Sequence, residues 1–458
     1  MKLVFILKRV NYYRILAPLI SQGLRRNHTI EIWLDCTSTD DGQKSYLNLD
    51  NHDPNFLKNL SNLPLIRKIT NIEEFDKRIK LTEGVDFFTS LHTIWFPISK
   101  QSLEVVDGRW CICMHGPDTF MEEPTATFPR HHLYQKYLFV YSAYWLNSAE
   151  SWIKTYQNDR KDIFFYTDPN HVHIESTGMP MPSKDIYNYP NRNATNKKYD
   201  IPSDKEILIY FPFPYSPSRN HNANNYNWQI TFSGLFQRGF HHTSRSSSKL
   251  SFLHYLKSLL KQLFLWFKVV KDPNSRAYLS RGQNEKEVIR SIRRFCDRNN
   301  LYFIAKPRKK FPFATCLWAL ADKVVDDDES QQHPSTLQEL LQHSALTIGY
   351  HTTASLESIH LNVPYLNIQS PDSFFNGSSH KHWFPTSVGE LFNFPGVIHN
   401  WSIDAFINDF DKCKIDEFSI NRDMREHYIK MFIGDPEQDS SEKFYTLIER
   451  FNRYQDSQ

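Results

Sequence analysis

Hydroxyl side chains cluster late in the sequence, where an apolar strand leads into a helix. The segment reads ALTIGY, then HTTAS, then a helix pattern that starts near Leu356. Thr352, Thr353 and Ser355 therefore stand at a helix N-terminus, where free backbone N–H groups and the positive end of the helix dipole can hold a phosphate. Because the hydroxyls add further donors, this segment predicts a binding site for a phosphate group.

An acidic residue lies at the start of the same helix. Glu357 is placed to accept hydrogen bonds from a ribose while the backbone amides hold a diphosphate. The alternative is structural: Thr353 or Ser355 caps the helix, and Glu357 interacts favourably with its dipole. Because Ala354 stands three positions before Glu357, the segment is not a capping box, which favours the ligand interpretation.

A histidine follows a second apolar strand, in the segment WCICMHGPDTF. The strand delivers His115 and Gly116 into a loop, where the glycine allows a close approach of the backbone. The unperturbed pKa of an imidazole lies near neutrality, so a histidine presented in this way is a candidate general base for an acceptor hydroxyl. The alternative is a structural or solvated histidine, since the chain has 20 of them.

Two further strands end in residues suited to an anionic ligand. LIYFPFPYS ends in Tyr215, and YFIAKPRKK ends in a basic cluster that contains Lys306 and Arg308. Cations at the carboxyl end of a strand suit a phosphorylated donor or the charge on a leaving phosphate. The adjacent Lys309 and Lys310 fit an exposed basic loop equally well.

The elements that position these residues alternate between strand and helix in two blocks. This alternation favours right-handed βαβ units on mostly parallel sheets. The predicted strands of the first block are 3–7, 29–34, 110–114, 138–142 and 172–176, with helices over 15–26 and 143–156. Those of the second block are 206–211, 301–305, 346–350 and 363–368, with helices over 285–298, 336–342 and 354–360. Pro18 falls inside the first helix pattern, so that helix is expected to begin near Ala17 or to bend there.

Composition excludes several classes of protein. The chain has 458 residues with 54 basic and 51 acidic side chains, and its net charge of +3 is too small for a dedicated nucleic-acid binder. Six cysteines without a CxxC pair indicate reduced thiols and a cytoplasmic setting. The apolar run at 3–7 is shorter than a signal-peptide core, and no apolar stretch reaches the ~20 residues of a membrane-spanning helix. No metal-ligand spacing is present, so no metal is predicted.

The strand-end loops stand in an order that resembles a known family. MHG, STGMP, IYFPFPYS, FIAKPRK, SALTIGYHTTASLESIHLNVPYLNI and FPGVI follow one another over roughly residues 105 to 400. The series resembles the GT-B group of CDP-glycerol glycerophosphotransferases and the surface-polysaccharide glycosyltransferases close to them. The resemblance implies an α/β fold of GT-B type, in which two Rossmann-like domains face each other across a cleft.

The resemblance also implies roles for single residues. His115 matches the catalytic base of the family, Thr352 and Thr353 match the paired serines that contact donor phosphates, and Glu357 matches the acidic residue near the ribose. Arg308 stands where the family has a second histidine. The resemblance thus implies a transferase that uses a nucleotide-activated donor as substrate, without a cofactor, and a polysaccharide or lipid-linked acceptor. Glycerol-phosphate and sugar donors both stay open.

The domain boundaries follow from the polar stretch between the blocks. We expect an N-terminal acceptor domain over 1–187, a linker over 188–204 and a nucleotide-donor domain over 205–420. The tail over 421–458 is helical in pattern, and by analogy with GT-B proteins it is expected to pack on the N-terminal domain.

The donor domain carries a long insertion near 232–284. Leucines and aromatic residues recur there at helical spacing, with Lys257 and Lys261 on the other face, and Arg245, Lys249, Lys268 and Lys271 flank them. Lysines opposite an apolar face suit anionic lipid headgroups, so residues 245–271 predict peripheral binding at the inner face of a membrane. The alternative is an amphipathic helix packed on the core.

Two other functions fit the same pattern. A non-hydrolysing nucleotide-sugar epimerase would share the two-block scaffold and the Ser/Thr-rich loop, but it would need no acceptor. A catalytically inactive GT-B binding module would explain Arg308 in place of the second histidine.

Overall fold

A computed structural model of the chain describes residues 1–7, 12–36, 54–58, 60–81, 84–91, 99–106, 108–116, 137–150, 172–181, 190–212, 285–307, 316–325, 334–350, 352–369 and 391–455. The chain divides into two compact units. The first unit comprises Met1–Tyr189, Asp328–Thr336 and Glu426–Gln458, and the second comprises Pro190–Asp327 and Leu337–Arg425. Tyr215, Arg308 and the insertion near 232–284 lie outside the described residues.

The first unit contains a parallel sheet of seven strands in the order β3-β2-β1-β4-β5-β6-β7. Its strands are β1 (Lys2–Leu7), β2 (Thr29–Asp35), β3 (Leu65–Ile69), β4 (Phe87–Ser90), β5 (Trp110–Cys113), β6 (Tyr137–Val140) and β7 (His173–Ser176).

The second unit contains a parallel sheet of six strands in the order β10-β9-β8-β11-β12-β13. Its strands are β8 (Glu206–Tyr210), β9 (Leu301–Ala305), β10 (Lys323–Val324), β11 (Ser344–Gly349), β12 (Tyr365–Gln369) and β13 (Ile398–Ser402).

Helices connect the strands within both units. They are α1 (Tyr13–Arg25), α2 (Ile72–Leu81), α3 (Lys100–Val106), α4 (143–150), α5 (Arg192–Tyr199), α6 (Glu285–Arg298), α7 (Leu317–Leu320), α8 (Thr336–Leu341), α9 (Ala354–His360), α10 (Ile403–Asp409), α11 (Arg422–Tyr428) and α12 (Ser440–Gln455). Within the described residues, none of these helices combines the length and the apolar character that crossing a membrane requires.

Both sheets follow the same strand order. Each begins at a central strand, β1 or β8, adds two strands on one side, and then adds the later strands on the other side. This is the order of the doubly wound Rossmann fold, and it confirms the predicted class of two Rossmann-like α/β sheets. The direction of winding reverses between β1 and β4 in the first sheet and between β8 and β11 in the second.

The helix periodicity read from the sequence corresponds to real burial. Val288, Ile289, Ile292, Phe295 and Cys296 on α6 are fully buried in the core of the second unit. Burying each large apolar side chain stabilises a fold by roughly 1.5–3 kcal/mol. This apolar stripe therefore fixes α6, and with it the residue at its N-terminus, against the second sheet.

Of the two expectations for the helix predicted over 15–26, the start near Ala17 is wrong, while a bend at Pro18 stays a prediction. α1 begins at Tyr13 rather than near Ala17, and Pro18 lies inside it. A proline within a helix costs about 3 kcal/mol because it lacks an N–H donor and its ring crowds the preceding turn. Burial of Ile15, Leu16 and other apolar residues on both sides of Pro18 offsets that cost.

The polar stretch predicted as a linker contains an ordered helix. Asn191 caps α5 by accepting a hydrogen bond from the N–H of Ala194 at 2.9 Å. At the end of α5, the Lys198 ammonium and the Tyr199 hydroxyl both donate to the buried carboxylate of Glu339, at 2.7 and 2.9 Å. These contacts make 190–200 part of the second unit.

The C-terminal residues pack on the first unit in two steps. A short π-helix (Ile429–Ile433) follows α11, and its carbonyl groups accept hydrogen bonds from the Ser142 hydroxyl and the Trp145 indole N–H, at 2.5 and 2.8 Å. α12 then lies against α1, where the Tyr445 hydroxyl donates to the carbonyl of Leu19 at 2.8 Å. Side-chain donors thus satisfy carbonyl groups at the C-terminal end of the π-helix, where a helix has no N–H partner for its last carbonyls.

We expect Gly434→Ala to destabilise the first unit strongly. Gly434 has a φ of 133°, and an added Cβ would lie 2.6 Å from Gly178 Cα and 2.8 Å from the carbonyl oxygen of Tyr141. Backbone strain and this clash should together lower the free energy of unfolding by about 3 kcal/mol or more. Urea denaturation followed by tryptophan fluorescence measures the loss.

Gly84→Ala is the matched control for that substitution. Gly84 also has a positive φ, 68°, but an added Cβ would meet nothing within 4 Å. The control should lose only the backbone term of about 1–2 kcal/mol. An equal loss in both variants would show that the contact with Gly178 contributes nothing.

Candidate active site at the carboxyl edge of the second sheet

The reversal of winding in the second sheet brings three polar residues together. Tyr210 is the last residue of β8, Tyr350 follows β11 directly, and Lys306 follows β9. β8 lies between β9 and β11, and the N–H of Lys306 bonds to the carbonyl of Tyr210 at 2.8 Å. Ligands of doubly wound sheets bind outside the carboxyl ends of the strands at such a reversal. These residues therefore mark the candidate site.

A buried carboxylate joins the two strands that flank the reversal. Glu285, the first residue of α6, accepts hydrogen bonds from the hydroxyls of Tyr210 at 2.5 Å and Tyr350 at 2.7 Å. Glu285 is only 5% exposed to solvent. Burial and the nearby carboxylate raise the pKa of Tyr210 well above its ordinary value, so its phenol stays protonated and donates.

The hydroxyl cluster lies in the loop between β11 and α9, as the sequence predicts. Thr353 precedes α9 but its side chain makes no capping hydrogen bond, and Thr352 Oγ1 accepts only a long bond of 3.4 Å from the N–H of Ala354. Ser355 is 0% exposed, and its hydroxyl has no hydrogen-bond partner among the described residues. Neither Thr353 nor Ser355 therefore caps the helix, in contrast to the structural alternative.

An unsatisfied buried hydroxyl is costly. Leaving a hydrogen-bonding group unpaired away from water costs roughly 1–3 kcal/mol. The Ser355 hydroxyl lies in the first turn of α9, beside backbone N–H groups at a helix N-terminus. Binding of an acceptor such as a phosphate oxygen at this turn would remove that cost.

Gly349 limits the space at the base of the loop. An added Cβ would lie 3.0 Å from the Tyr365 hydroxyl, 3.1 Å from Phe211 Cβ and 3.2 Å from Thr352 Cγ2. These distances are shorter than ordinary van der Waals contacts. A larger residue at 349 would therefore displace the loop or its neighbours.

The two ends of α9 are held by different contacts. Glu357 is 0% exposed, and its carboxylate accepts a hydrogen bond from Gln338 Nε2 at 3.3 Å. At the C-terminal end, the Arg425 guanidinium donates to the carbonyls of Ile359 and His360 at 2.8 and 2.5 Å. Burial and the Arg425 charge lower the pKa of His360 to about 4, so His360 is neutral near pH 7.

The remaining candidates belong to the first unit or lie outside the described residues. His115 is half-buried and Gly116 is buried, two and three residues after the end of β5. The N–H of Met114 bonds to the carbonyl of Phe139 at 2.8 Å, which extends the pairing of β5 with β6 to the residue before His115. Of the predicted site residues that the structure describes, Lys306 follows β9, and Thr352, Thr353, Ser355 and Glu357 follow β11, all in the second unit.

Sequence reasoning missed the residues that hold this edge together. Glu285 is separated from Tyr210 by 75 positions and from Tyr350 by 65. An acidic residue at the start of a helix is ordinarily explained by the helix dipole, so its type gives no sign of burial. The only sequence signal was the position of each residue at the boundary of a predicted element. Within the described residues, no group of three His, Cys, Asp or Glu side chains could hold a metal ion.

Comparison with known proteins identifies the fold but no close relative. No protein-family model matches the sequence. A search of curated proteins also finds no match. Among solved structures, two variants of the wall teichoic acid polymerase TagF are each 11% identical to this chain. The match to one variant spans 99% of this chain and 89% of the TagF chain, with a TM-score of 0.51. The match to the other spans 100% of this chain and 90% of the TagF chain, with a TM-score of 0.50.

A plant protein also matches over nearly the full length. The Arabidopsis thaliana protein UGT89C1, complexed with UDP-L-rhamnose, is 10% identical to this chain. The match spans 98% of this chain and 99% of the UGT89C1 chain, with a TM-score of 0.47. At such low identities, structural similarity shows the fold alone, and here the evidence for the fold comes from the TagF structures. Together with its two doubly wound parallel sheets, this similarity shows that the chain has the GT-B fold.

Proposed function

We propose that the protein is a transferase that moves a glycosyl or glycerol-phosphate group from a nucleotide-activated donor to a hydroxyl of a cell-surface polysaccharide or lipid-linked acceptor. The observation that carries the proposal is the loop after β11, where the Ser355 hydroxyl is buried without a partner among the described residues. The fold shared with TagF, a wall teichoic acid polymerase, supports this class of acceptor.

In this proposal the second unit binds the donor. The hydroxyls of Thr352, Thr353 and Ser355, at the positive end of the α9 dipole, hold the donor phosphates. Lys306, 6% exposed at the end of β9, and Arg308 supply positive charge for the leaving phosphate, and Tyr215 completes the donor contacts of this unit. The family resemblance also implies a donor contact at Gly116, which belongs to the first unit. No metal or cofactor is assigned a role.

Glu357 is the proposed acceptor of a hydrogen bond from the ribose. It lies in the first turn of α9, next to the phosphate loop. Because Gln338 donates to its carboxylate, the ribose hydroxyl would have to share or replace that contact. A vicinal diol can donate to a carboxylate in the same way as an amide.

His115 is the proposed general base. A ring nitrogen of His115 takes the proton from the acceptor hydroxyl as its oxygen attacks the donor. With a sugar donor, the bond between the anomeric carbon and the diphosphate oxygen breaks, and the nucleoside diphosphate leaves. With CDP-glycerol, the attacked atom is the phosphorus next to glycerol, and CMP leaves.

We expect His115→Ala to abolish transfer while nucleotide binding is kept. Loss of a general base lowers turnover by roughly 10²- to 10⁴-fold. Turnover is measured as nucleotide release with a synthetic lipid-linked acceptor. The donor is the CDP-, UDP-, GDP- or CMP-activated compound that gives the largest thermal shift.

The matched control is His427→Ala, which removes an exposed histidine of the same unit. Unchanged turnover in His115→Ala would exclude His115 as the base. Conversion of the donor in the absence of acceptor would support the epimerase alternative. A protein that no donor stabilises would support the inactive-module alternative.

We expect Ser355→Ala to separate stability from affinity. Without ligand, removing a buried and unsatisfied hydroxyl should leave the melting temperature unchanged or raise it. The dissociation constant for CDP or UDP should rise about tenfold, because one hydrogen bond to a charged group is lost. Differential scanning fluorimetry and isothermal titration calorimetry measure the two quantities.

Ser358→Ala on the same helix is the control for Ser355→Ala. The Ser358 hydroxyl is also buried, but it donates to the carbonyl of Ala354 at 2.9 Å. The control should lower the melting temperature and leave nucleotide affinity unchanged. If Ser355→Ala behaves in the same way, Ser355 has a structural role only.

We further propose that residues 245–271 bind an anionic membrane surface, which would bring the enzyme to a lipid-linked acceptor. The pattern of lysines opposite leucines and aromatic residues supports this proposal.

Reversing charge in that segment should weaken membrane binding. Lys257→Glu combined with Lys261→Glu should lower the partition onto vesicles of phosphatidylglycerol and phosphatidylcholine by about tenfold or more, because each lysine near an anionic surface contributes about 1 kcal/mol. Sedimentation measures the bound fraction. The control combines Lys197→Glu with Lys414→Glu, two exposed lysines of the second unit. Equal sedimentation of both double variants would exclude docking through 245–271.

A further inference from the structure

Glu285 is a buried carboxylate that the proposed phosphate contacts do not use. It begins a 14-residue helix whose apolar stripe is fixed in the core of the second unit. Its two phenol partners come from β8 and from the residue after β11. Three elements distant in sequence therefore converge on one carboxylate at the reversal of winding.

The two phenols lead into different segments of the chain. Tyr210 lies at the end of a strand that is paired on both sides, and the next residue, Phe211, still bonds to the carbonyl of Ile348 at 2.8 Å. Tyr350 instead leads directly into the loop that carries Thr352 and Thr353. Fixing the Tyr350 side chain therefore fixes the start of that loop.

We propose that Glu285 is a positioning residue for the phosphate loop: by holding the Tyr350 hydroxyl, it sets the conformation in which Thr352, Thr353 and Ser355 present their hydroxyls to a donor phosphate. The proposal rests on the donor site assigned above.

The chemistry of Glu285 favours positioning over contact with the donor. A carboxylate in contact with a diphosphate would repel it, whereas the Glu285 carboxylate accepts hydrogen bonds from two phenols that lie at the strand ends. Donors that act on phosphate are effective when they are oriented before the ligand arrives. The hydrogen bond of 2.7 Å from the Tyr350 hydroxyl to the buried Glu285 carboxylate fixes Tyr350, and so orients the loop that follows it before a ligand binds.

The test compares Tyr350→Phe with a matched control in the full-length protein. Tyr199→Phe serves as the control, because the Tyr199 hydroxyl also donates to a buried carboxylate, Glu339, at 2.9 Å in the same unit. Hydrogen exchange at the amides of Ser355 and Leu356 reports on the loop, since they bond to the carbonyls of Thr352 and Thr353 at 3.0 and 3.1 Å. Titration with CDP and UDP reports on the site.

We expect Tyr350→Phe to speed exchange at these two amides by about tenfold and to raise the dissociation constant of the nucleotide by a similar factor. Tyr199→Phe should change neither quantity, although it lowers the melting temperature. Glu285→Gln should fall between Tyr350→Phe and the wild type, because the amide retains one acceptor oxygen.

The outcomes separate this proposal from the function on which it rests. If Tyr350→Phe and Tyr199→Phe leave exchange at Ser355 and Leu356 equally slow, Glu285 does not position the loop. Faster exchange with unchanged nucleotide affinity also overturns the proposal. If the wild-type protein binds no nucleotide, the donor site is wrong, and the exchange measurement still shows whether Glu285 orders the loop.

Discussion

The pairing of β8 with β11 is the constraint on which the second unit depends. The sheet grows from β8 in one direction through β9 and β10, and in the other through β11, β12 and β13. Because the connections diverge at this pair, the carboxyl ends of the two strands lie at the position where doubly wound sheets bind ligands. The register aligns Ile348 with Tyr210, which brings Tyr210 and Tyr350 close enough to share Glu285. Gly349 allows this closeness, since a side chain there would meet Phe211 and Tyr365.

Elements with a strong apolar pattern could be predicted from the sequence. Strand 301–305 and helices 285–298 and 354–360 have the predicted bounds, because burial on one face or on both faces dictates their residue types. β3, β4, β10 and β13 were not predicted. β13 has the sequence IHNWS, and its middle residue Asn400 accepts a side-chain hydrogen bond from Asn367 of β12 at 2.9 Å. Such polar pairing across strands leaves no periodic signal along one of them.

In the candidate site, too, some features could be predicted from neighbouring residues in the sequence, and others depend on residues far apart in the chain. The residue types of the phosphate loop follow from local chemistry, since a helix N-terminus with hydroxyls is visible within a few residues of sequence. The partners that hold it are non-local. Glu285 and Glu357 have the type of exposed acids, and only the fold shows that both are buried against hydroxyl or amide donors. Burial of a carboxylate is a property of the surroundings, which a single sequence does not contain.

The contacts of Arg425 add a constraint at the other end of the same short helix. Its guanidinium binds the last carbonyls of α9, where the negative end of the helix dipole lies, so the cation stabilises the helix whose N-terminus carries the phosphate loop. His360 beside it is neutral, because burial and the Arg425 charge lower its pKa, so His360 adds no positive charge next to those carbonyls. Arg425 is also the last residue of the second unit before the chain continues into residues 426–458 of the first. The point at which the chain leaves the second unit is thus fixed to α9, and any movement of that point must either carry the helix with it or break two charge-assisted hydrogen bonds.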